Sequence, residues 1–178
     1  MEAARNLPKY TYSDYAQWVG DWEMIDGIPY AMSPSPTQKH QRISLAIASE
    51  ILIAIRKQKD ECGDCVVQQD VDWILNDDTI FRPDLSIVCG KSEDYIRSAP
   101  QLIIEILSPS SGYHDRIVKY EVYQAQGVFY YIIVDPLSNS YVSYALRDGK
   151  YEEYNSNEFL IHGQCSIEID IADILRDI

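Results

Sequence analysis

Two acidic residues stand where strands would bury them. Glu105 lies inside the apolar run 102–107, whose length and content predict a strand covered on both faces. A buried, ionised carboxylate is unstable unless its pKa rises, a cation pairs with it or a metal binds it. Asp84 lies near the start of a second apolar run, 82–88, and the interval between the acids can hold a strand, a loop and a neighbouring strand. The spacing therefore predicts two carboxylates that converge at one end of a sheet, where both could bind one metal ion.

The composition limits the class of protein and of partner. At 178 residues with 46% hydrophobic residues, the chain can bury a full core, and we predict one domain over residues 1–178. Acidic residues outnumber basic residues by 28 to 15, which gives a net charge of −13. This charge opposes loose adsorption to nucleic acid or to an anionic membrane. It does not exclude a nuclease, because a nuclease uses carboxylates to bind metal and needs only a local basic lining for phosphate.

Two sequence features concern the cellular setting. No stretch approaches the ~18 consecutive apolar residues of a membrane span, and residues 1–5 lack the apolar core of a signal peptide. We therefore expect a cytoplasmic protein without a membrane partner. Of the four cysteines only Cys62 and Cys65 are close in sequence, which does not resemble a disulfide framework, so we expect reduced thiols. Their C-x-x-C spacing is the alternative signal, for zinc or redox chemistry, but no second pair completes it.

Hydrophobic periodicity predicts alternating helices and strands. Residues 37–59 predict a long helix capped by Thr37, in which Ile43, Ile47 and Ile51 recur at helical spacing. The other predicted elements are a short helix at 11–18, a hairpin at 22–32, strands at 66–75, 82–88, 102–107 and 128–135, a helix at 113–126 and a hairpin at 141–154. The stretch from 102 to 135 has the length of a parallel crossover, whereas the hairpins must be antiparallel. We therefore predict an α/β fold with a central mixed β-sheet flanked by helices and with N-terminal and C-terminal hairpins.

Three residues of this pattern resemble the core of the PD-(D/E)XK nucleases, the restriction-endonuclease-like fold: Asp84 after a proline, Glu105 in a buried strand and Lys119 on the next helix. Within that superfamily the chain resembles the Uma family of restriction endonucleases, the second family of that name. The matching segments are Ile25-Asp26-Gly27, Met32 to Pro36 with His40, Arg82 to Leu85, Ile104 to Ser110, Asp115-Arg116 with Lys119, Tyr123, Gly127-Val128, Tyr131 and Val134-Asp135-Pro136. The superfamily has a lysine two residues after the acid, where this chain has Leu107. The family resemblance implies that Lys119 replaces it.

The resemblance implies a role for each of these groups. Asp84 and Glu105, with the carbonyl of Ile106, would bind Mg²⁺ or Mn²⁺, because these cations take oxygen ligands. Lys119 would orient the attacking water or offset charge on the phosphate. The resemblance thus predicts a nuclease that hydrolyses phosphodiester bonds of nucleic acid, with DNA as the expected substrate. It also implies a homodimer, because enzymes of this superfamily often cut two strands with two subunits.

Two further residues are weaker candidates. His40, at the first turn of the long predicted helix, would contact phosphate or carry a proton. Glu23, on the N-terminal hairpin, would add a carboxylate to the site. The simpler alternatives are a solvated or capping residue for His40 and an exposed strand residue for Glu23.

The central residues have structural alternatives as well. Glu105 and Lys119 could form a structural ion pair, and Lys119 could instead make an exposed helical pair with Asp115. Asp84 could only cap a turn. Two classes of function therefore stay open: a metal-dependent nuclease, and a catalytically inactive protein of the nuclease fold that acts as a binding or interaction module. The two acids and the lysine favour the first class, and the net charge of −13 favours the second.

Overall fold

The computed structural model describes residues 7–32, 35–91, 94–108 and 114–178, with the backbone alone at residues 114 and 115. Ser33-Pro34, Pro109-Ser110 and the side chain of Asp115, all part of the predicted pattern, lie outside the described residues. The strands are β1 Trp22–Ile25, β2 Ile28–Ala31, β3 Val66–Gln69, β4 Trp73–Ile74, β5 Ile80–Phe81, β6 Leu85–Val88, β7 Leu102–Ile106, β8 Tyr130–Asp135, β9 Ser140–Arg147, β10 Lys150–Glu153, β11 Glu158–His162 and β12 Cys165–Glu168. The helices are α1 Tyr12–Tyr15, α2 Gln38–Lys57, α3 Lys59–Cys62, α4 Tyr120–Ala125 and α5 Ile171–Arg176.

The central sheet has six strands in the order β10-β9-β8-β7-β6-β3. Its β7 and β8 are parallel, and its other neighbouring strands are antiparallel. The parallel pair arises because the chain crosses over one face of the sheet between these strands, which confirms the predicted crossover and the predicted mixed sheet. The buried pattern of all five residues of β7 agrees with a strand covered on both faces.

The N-terminal hairpin also agrees with its sequence signal. Asp26 and Gly27 connect β1 to β2 with positive φ values of 50° and 73°, the backbone that a primed two-residue turn requires. A side chain at Gly27 would meet the backbone oxygen of Tyr10 at 3.0 Å, so the position also needs a residue without Cβ. The hairpin belongs to a second, four-stranded antiparallel sheet in the order β2-β1-β5-β4.

One predicted strand is wrong in its extent. Residues 66–75 were expected to be continuous, but β3 and β4 are separate strands in different sheets. The break is at Asp70, whose φ of 54° lies in the left-handed region and turns the chain out of the ladder. Its amide donates a hydrogen bond to the carbonyl of Asp84 at 3.3 Å. The break therefore keeps Asp70 beside the start of β6.

Helices cover the two faces of the central sheet. The long predicted helix is confirmed as α2, and the hydroxyl of Thr37 caps it by accepting from the amide of His40 at 3.2 Å. On one face, α2 packs its apolar stripe against alternate residues of the strands such as Leu85 and Ile104. On the other face, Ile103 and Ile133 pack with residues of α4 and of the four-stranded sheet. Because side chains alternate along a strand, Glu105 belongs to the face that α4 covers.

The crossover helix differs from its prediction at its start. The pattern predicts one α-helix at 113–126, but a π-helical turn, His114–Lys119, precedes α4. A π-turn is wider than an α-turn and changes the direction of the side chains at its junction with the α-helix. Lys119 ends this turn and is buried with only 3% of its surface exposed. The junction therefore directs the lysine toward the sheet.

The expectation of reduced thiols is wrong, because all four cysteines form disulfide bonds. Cys62 is bonded to Cys165 and Cys65 to Cys89. The paired cysteines are 103 and 24 residues apart, so their spacing in the sequence did not indicate the disulfides. The fold brings them together because β6 ends beside the start of β3, while β12 packs against α3. The C-x-x-C spacing thus contributes one cysteine to each of two disulfides.

The C-terminal part contains the predicted hairpin, a second hairpin and a short helix. Asp148-Gly149 connects β9 to β10, as expected, with φ values of 49° and 77°. A further hairpin of β11 and β12 and the short helix α5 were not predicted, and they close the core on the α2 side. Across the described ranges, no helix combines the length and the apolar character needed to cross a membrane.

Candidate active site

Asp84 immediately precedes β6, and Glu105 lies on β7, the antiparallel neighbour of β6. The register of β6 with β7 ends at the pair Leu85 and Ile104, so Asp84 and Glu105 are the next residues along the two strands. Asp84 is outside the ladder, and its side chain replaces the missing backbone partner: Oδ2 accepts a hydrogen bond from the amide of Ile106 at 2.7 Å. The strand order thus places the two predicted acids at one end of the central sheet.

Glu105 is 3% exposed, and its carboxylate accepts hydrogen bonds from buried side chains of the crossover segment. Its Oε1 accepts from Nζ of Lys119 at 3.0 Å and from the hydroxyl of Tyr123 at 2.9 Å. Both donors come from the crossover segment that covers this face of the sheet. The buried carboxylate therefore meets the requirement that a charge removed from water be paired and hydrogen-bonded.

Lys119 contacts a second carboxylate. Its Nζ lies 2.9 Å from Oε1 of Glu23 on β1, and both side chains are buried. The same Oε1 of Glu23 accepts from the amide of Arg82 at 2.8 Å, which fixes the carboxylate against the start of the Asp84 segment. Two of the alternatives from the sequence are therefore wrong: Glu23 is not an exposed strand residue, and Lys119 is not part of an exposed helical pair.

Tyr123 is a residue of the site for which no role was predicted. It is fully buried, and its ring lies between those of Trp73, Phe81 and Tyr131. Burial, followed by the charge of Glu105, raises the pKa of Tyr123 well above its ordinary value, so the hydroxyl stays protonated and donates. The available signal was its spacing, because Tyr123 follows Lys119 by four residues and residues four apart lie on one face of a helix.

His40 reaches the site from the first turn of α2. Its Nε2 lies 3.3 Å from Oδ1 of Asp84, and its side chain is 12% exposed, so the solvated alternative is wrong. Burial lowers the pKa of His40, but the hydrogen bond and charge of Asp84, the charge of Asp70 and the Ile106 carbonyl outweigh it and raise the pKa above its ordinary value. Its Nδ1 is buried and has no hydrogen-bond partner within the described parts of the chain.

Two further acids lie near these groups. Desolvation raises the pKa of Asp70, and the charge of Asp84 raises it further. Asp72 is buried and accepts a short hydrogen bond from Nε of Arg82 at 2.6 Å, while Nη1 of Arg82 lies 2.6 Å from Asp21. Arg82 therefore joins the β1 hairpin to the segment that carries Asp84. Asp70 and Asp72 were not predicted as part of the site, because the turn at residue 70 was not predicted.

The oxygen donors of this region fit a hard cation. They are the carboxylates of Asp84 and Glu105 and the carbonyl of Ile106, the residue after Glu105. No cluster of three or more His, Cys, Asp or Glu side chains arranged for metal occurs among residues 7–32, 35–91, 94–108 and 114–178. Mg²⁺ does not require such a cluster, because it binds through one or two carboxylates and keeps several waters.

Comparisons with known proteins agree with the fold and the motifs. The chain is 25% identical to the uncharacterized protein slr1290 of Synechocystis sp., with 94% of this chain and 87% of that protein covered. Its structure is similar to the crystal structure of a protein from Anabaena variabilis described as "a putative nuclease belonging to DUF820". That similarity has a TM-score of 0.73, 18% identity and coverage of 93% of this chain and 97% of the other, and it shows a shared restriction-endonuclease-like fold. The model of the Uma2 family, described as "Putative restriction endonuclease", matches residues 12–165, and the chain therefore belongs to that family.

Proposed function

We propose that this protein is a metal-dependent nuclease that hydrolyses phosphodiester bonds of nucleic acid. Membership of the Uma2 family supports a nuclease in general. The observation that carries the proposal is the contact between Lys119 and Glu105, at 3.0 Å, beside an Asp84 that is fixed to the residue after Glu105. A lysine from the crossover segment thus reaches the acid of the strand, although the usual position after the acid holds Leu107.

The proposed metal is Mg²⁺ or Mn²⁺, held by Asp84, Glu105 and the carbonyl of Ile106. When bound, such an ion polarises a phosphodiester oxygen and lowers the pKa of a bound water. The carboxylate of Asp84 is oriented for this role by the amide of Ile106, so its position depends on the backbone of β7. The carboxylate of Glu105 is oriented by the two donors at its Oε1.

Lys119 is proposed to offset the negative charge that develops on the phosphate. Its ammonium group is flexible and compact, which suits this role. Glu23 holds the same ammonium at 2.9 Å, and we propose it as the counter-ion of the lysine. Because Glu23 is itself fixed by the amide of Arg82, it would keep Lys119 in the site with Glu105 serving as a metal ligand.

His40 is proposed to contact phosphate or to carry a proton. Its pKa is raised by its contact with Asp84, which favours the positively charged ring at the mouth of the site. A local cation is needed here because the net charge of −13 repels a polyanion from most of the surface. We further propose DNA as the substrate and a homodimer as the active form.

A second candidate function has one specific observation in its favour. Lys119 already lies between two buried carboxylates, those of Glu23 and Glu105, and such a group is stable without any substrate. The protein would then be a catalytically inactive member of the fold that serves as a binding or interaction module. The two candidates differ in whether the metal and the nucleic acid are used at all.

A nuclease assay separates the two candidates. The purified protein is incubated with Mg²⁺ or Mn²⁺ and with single-stranded and double-stranded DNA and RNA. The proposal expects cleavage of at least one substrate, loss of cleavage on removal of metal by a chelator, and loss in Asp84→Asn and Glu105→Gln. Asp173→Asn, which removes an exposed acid of α5, is the matched control and should cleave like the wild type. Absence of cleavage on every substrate, with no metal binding by the wild type, would leave the interaction module.

A further inference from the structure

Tyr123 combines a fully buried hydroxyl with a direct contact to a proposed metal ligand. We infer that Tyr123 is a positioning residue, whose hydroxyl fixes the Glu105 carboxylate in the orientation that binds the metal. This inference rests on the proposed function. It adds to the site a residue that touches neither metal nor substrate and acts through Glu105 alone.

The ring of Tyr123 is held from three sides. Its centroid lies 5.3 Å from that of Phe81 and 5.1 Å from that of Tyr131, both at an interplanar angle of 82°. The ring of Trp73 lies 5.6 Å away on another side. These partners belong to β4, β5 and β8, so two sheets and the crossover helix together determine where the hydroxyl is placed. Edge-to-face packing of this kind leaves the ring little freedom to turn.

The hydroxyl and Lys119 differ in how firmly they hold Glu105. Both donate to Oε1, at 2.9 Å for the hydroxyl and 3.0 Å for the ammonium. Lys119 is shared with Glu23 and has four rotatable bonds, so its position can change when charge enters the site. The tyrosine has a rigid ring and makes its hydrogen bond to Glu105. It is therefore the donor that fixes the carboxylate while the lysine responds to the substrate.

Packing alone does not require this hydroxyl. A phenylalanine would make the same ring contacts with Trp73, Phe81 and Tyr131, and it would bury no polar group. The oxygen is therefore accounted for by its bond to Glu105 at 2.9 Å. Removal of a group that orients a metal ligand typically lowers metal affinity or activity 10–100-fold.

The test uses Tyr123→Phe, which removes the hydroxyl and keeps the ring. Tyr151→Phe is the matched control, because the hydroxyl of Tyr151 is also buried but donates to the carbonyl of Val128 at 2.9 Å. Binding of Mn²⁺ to each variant is measured by calorimetry, and cleavage is measured as a function of metal concentration. We expect Tyr123→Phe to weaken Mn²⁺ binding about 10–100-fold and to recover most of its cleavage rate at saturating metal. Tyr151→Phe should bind Mn²⁺ like the wild type.

The other outcomes each decide the question. Wild-type Mn²⁺ affinity in Tyr123→Phe, together with lost binding in Asp84→Asn, would overturn the inference and leave the proposed nuclease intact. Equal weakening in Tyr123→Phe and Tyr151→Phe would also overturn it, because both effects would then come from general packing. An unfolded Tyr123→Phe would show that the hydroxyl serves the fold instead. No metal binding by the wild type would overturn the proposed function as well as the inference.

Discussion

Oδ2 of Asp84 accepts a hydrogen bond from the backbone amide of Ile106 at 2.7 Å. The side chain thereby takes the place of a strand partner at the point where the ladder between β6 and β7 ends. The carboxylate is consequently fixed by the backbone next to Glu105, and its position does not depend on the side chain of Glu105. The backbone of β7 thus positions Asp84, while Lys119 offsets the charge of Glu105.

A divalent metal should stabilise the protein through these acids. Because the strands bring the proposed ligands Asp84 and Glu105 to the same end of the sheet only in the folded chain, a cation bound there stabilises the folded state by mass action. We expect millimolar Mg²⁺ or Mn²⁺ to raise the melting temperature, and to raise the free energy of unfolding by about 2.7 kcal/mol at a metal concentration 100 times the dissociation constant. Differential scanning calorimetry at increasing metal concentration measures this gain.

Asp84→Asn should abolish the metal effect and leave the fold intact. The amide oxygen of asparagine can still accept from the amide of Ile106, so the variant loses the charge but can keep the hydrogen bond. Asp84→Ala should lose both, and the unpaired amide should cost a further ~1–3 kcal/mol of unfolding free energy. Thermal melts of both variants with and without Mg²⁺ make the comparison. The same metal-dependent shift in the wild type and in both variants would indicate diffuse binding by the acidic surface and would contradict a site at Asp84.

Lys119→Met should destabilise the protein strongly. The change leaves the buried carboxylates of Glu23 and Glu105 without their shared cation. Breaking a buried ion pair by removing one partner typically costs ~3–5 kcal/mol. Urea denaturation measures the loss. Lys119→Met combined with Glu23→Gln should lose less than Lys119→Met alone, since one stranded charge is removed. A double variant as unstable as the single one would contradict this charge balance.

The stability of Lys119 variants cannot separate an enzyme from an inactive relative. From the sequence, a lysine that acts only on the transition state would leave stability unchanged when replaced. The structure places Lys119 in a buried ion pair before any substrate binds, so a loss of stability follows under both functions. Cleavage assays on folded variants therefore distinguish a nuclease from an inactive relative. For Lys119→Met, cleavage is measured at temperatures where that variant is folded, so that a loss of cleavage reports on the lysine and not on unfolding.

Local signals in the sequence predicted most of the fold. The Asp26-Gly27 turn, the apolar stripe of α2 and the continuous apolar runs of β7 and β8 each specify their element through nearby residues. The features that were not predicted depend on contacts between residues that are far apart in the sequence. Burial of Glu23 requires contact between the hairpin and the crossover segment, 96 residues apart at Lys119. The hydroxyl of Tyr123 gained its role through β7, and the disulfides join positions 24 and 103 residues apart.

Asp70→Asn should stabilise the protein without metal at neutral pH. Desolvation and the charge of Asp84 raise the pKa of Asp70 in the folded state above its unfolded value. A raised pKa means that the folded state holds this proton more tightly, so ionisation as pH rises through the folded pKa reduces stability. Asparagine removes that penalty and tolerates the left-handed φ of 54°. The advantage of Asp70→Asn should therefore disappear as the pH falls below the unfolded value near 3.8. Urea denaturation at a series of pH values tests this; a constant advantage across that range would contradict it.

Reduction of the disulfides should lower stability and expose four thiols. Each bond closes a loop, of 103 residues for Cys62–Cys165 and of 24 residues for Cys65–Cys89, and such cross-links contribute about 3–5 kcal/mol by restricting the unfolded chain. We expect no free thiol in the denatured, unreduced protein by a colorimetric assay and four after reduction. Cys89→Ser should leave the Cys62–Cys165 bond in place and lower the melting temperature less than full reduction does.

The thiol count also bears on the cellular location of the protein, since disulfides persist mainly in oxidising compartments. Four free thiols in protein prepared without a reductant would contradict both bonds and would favour the cytoplasm.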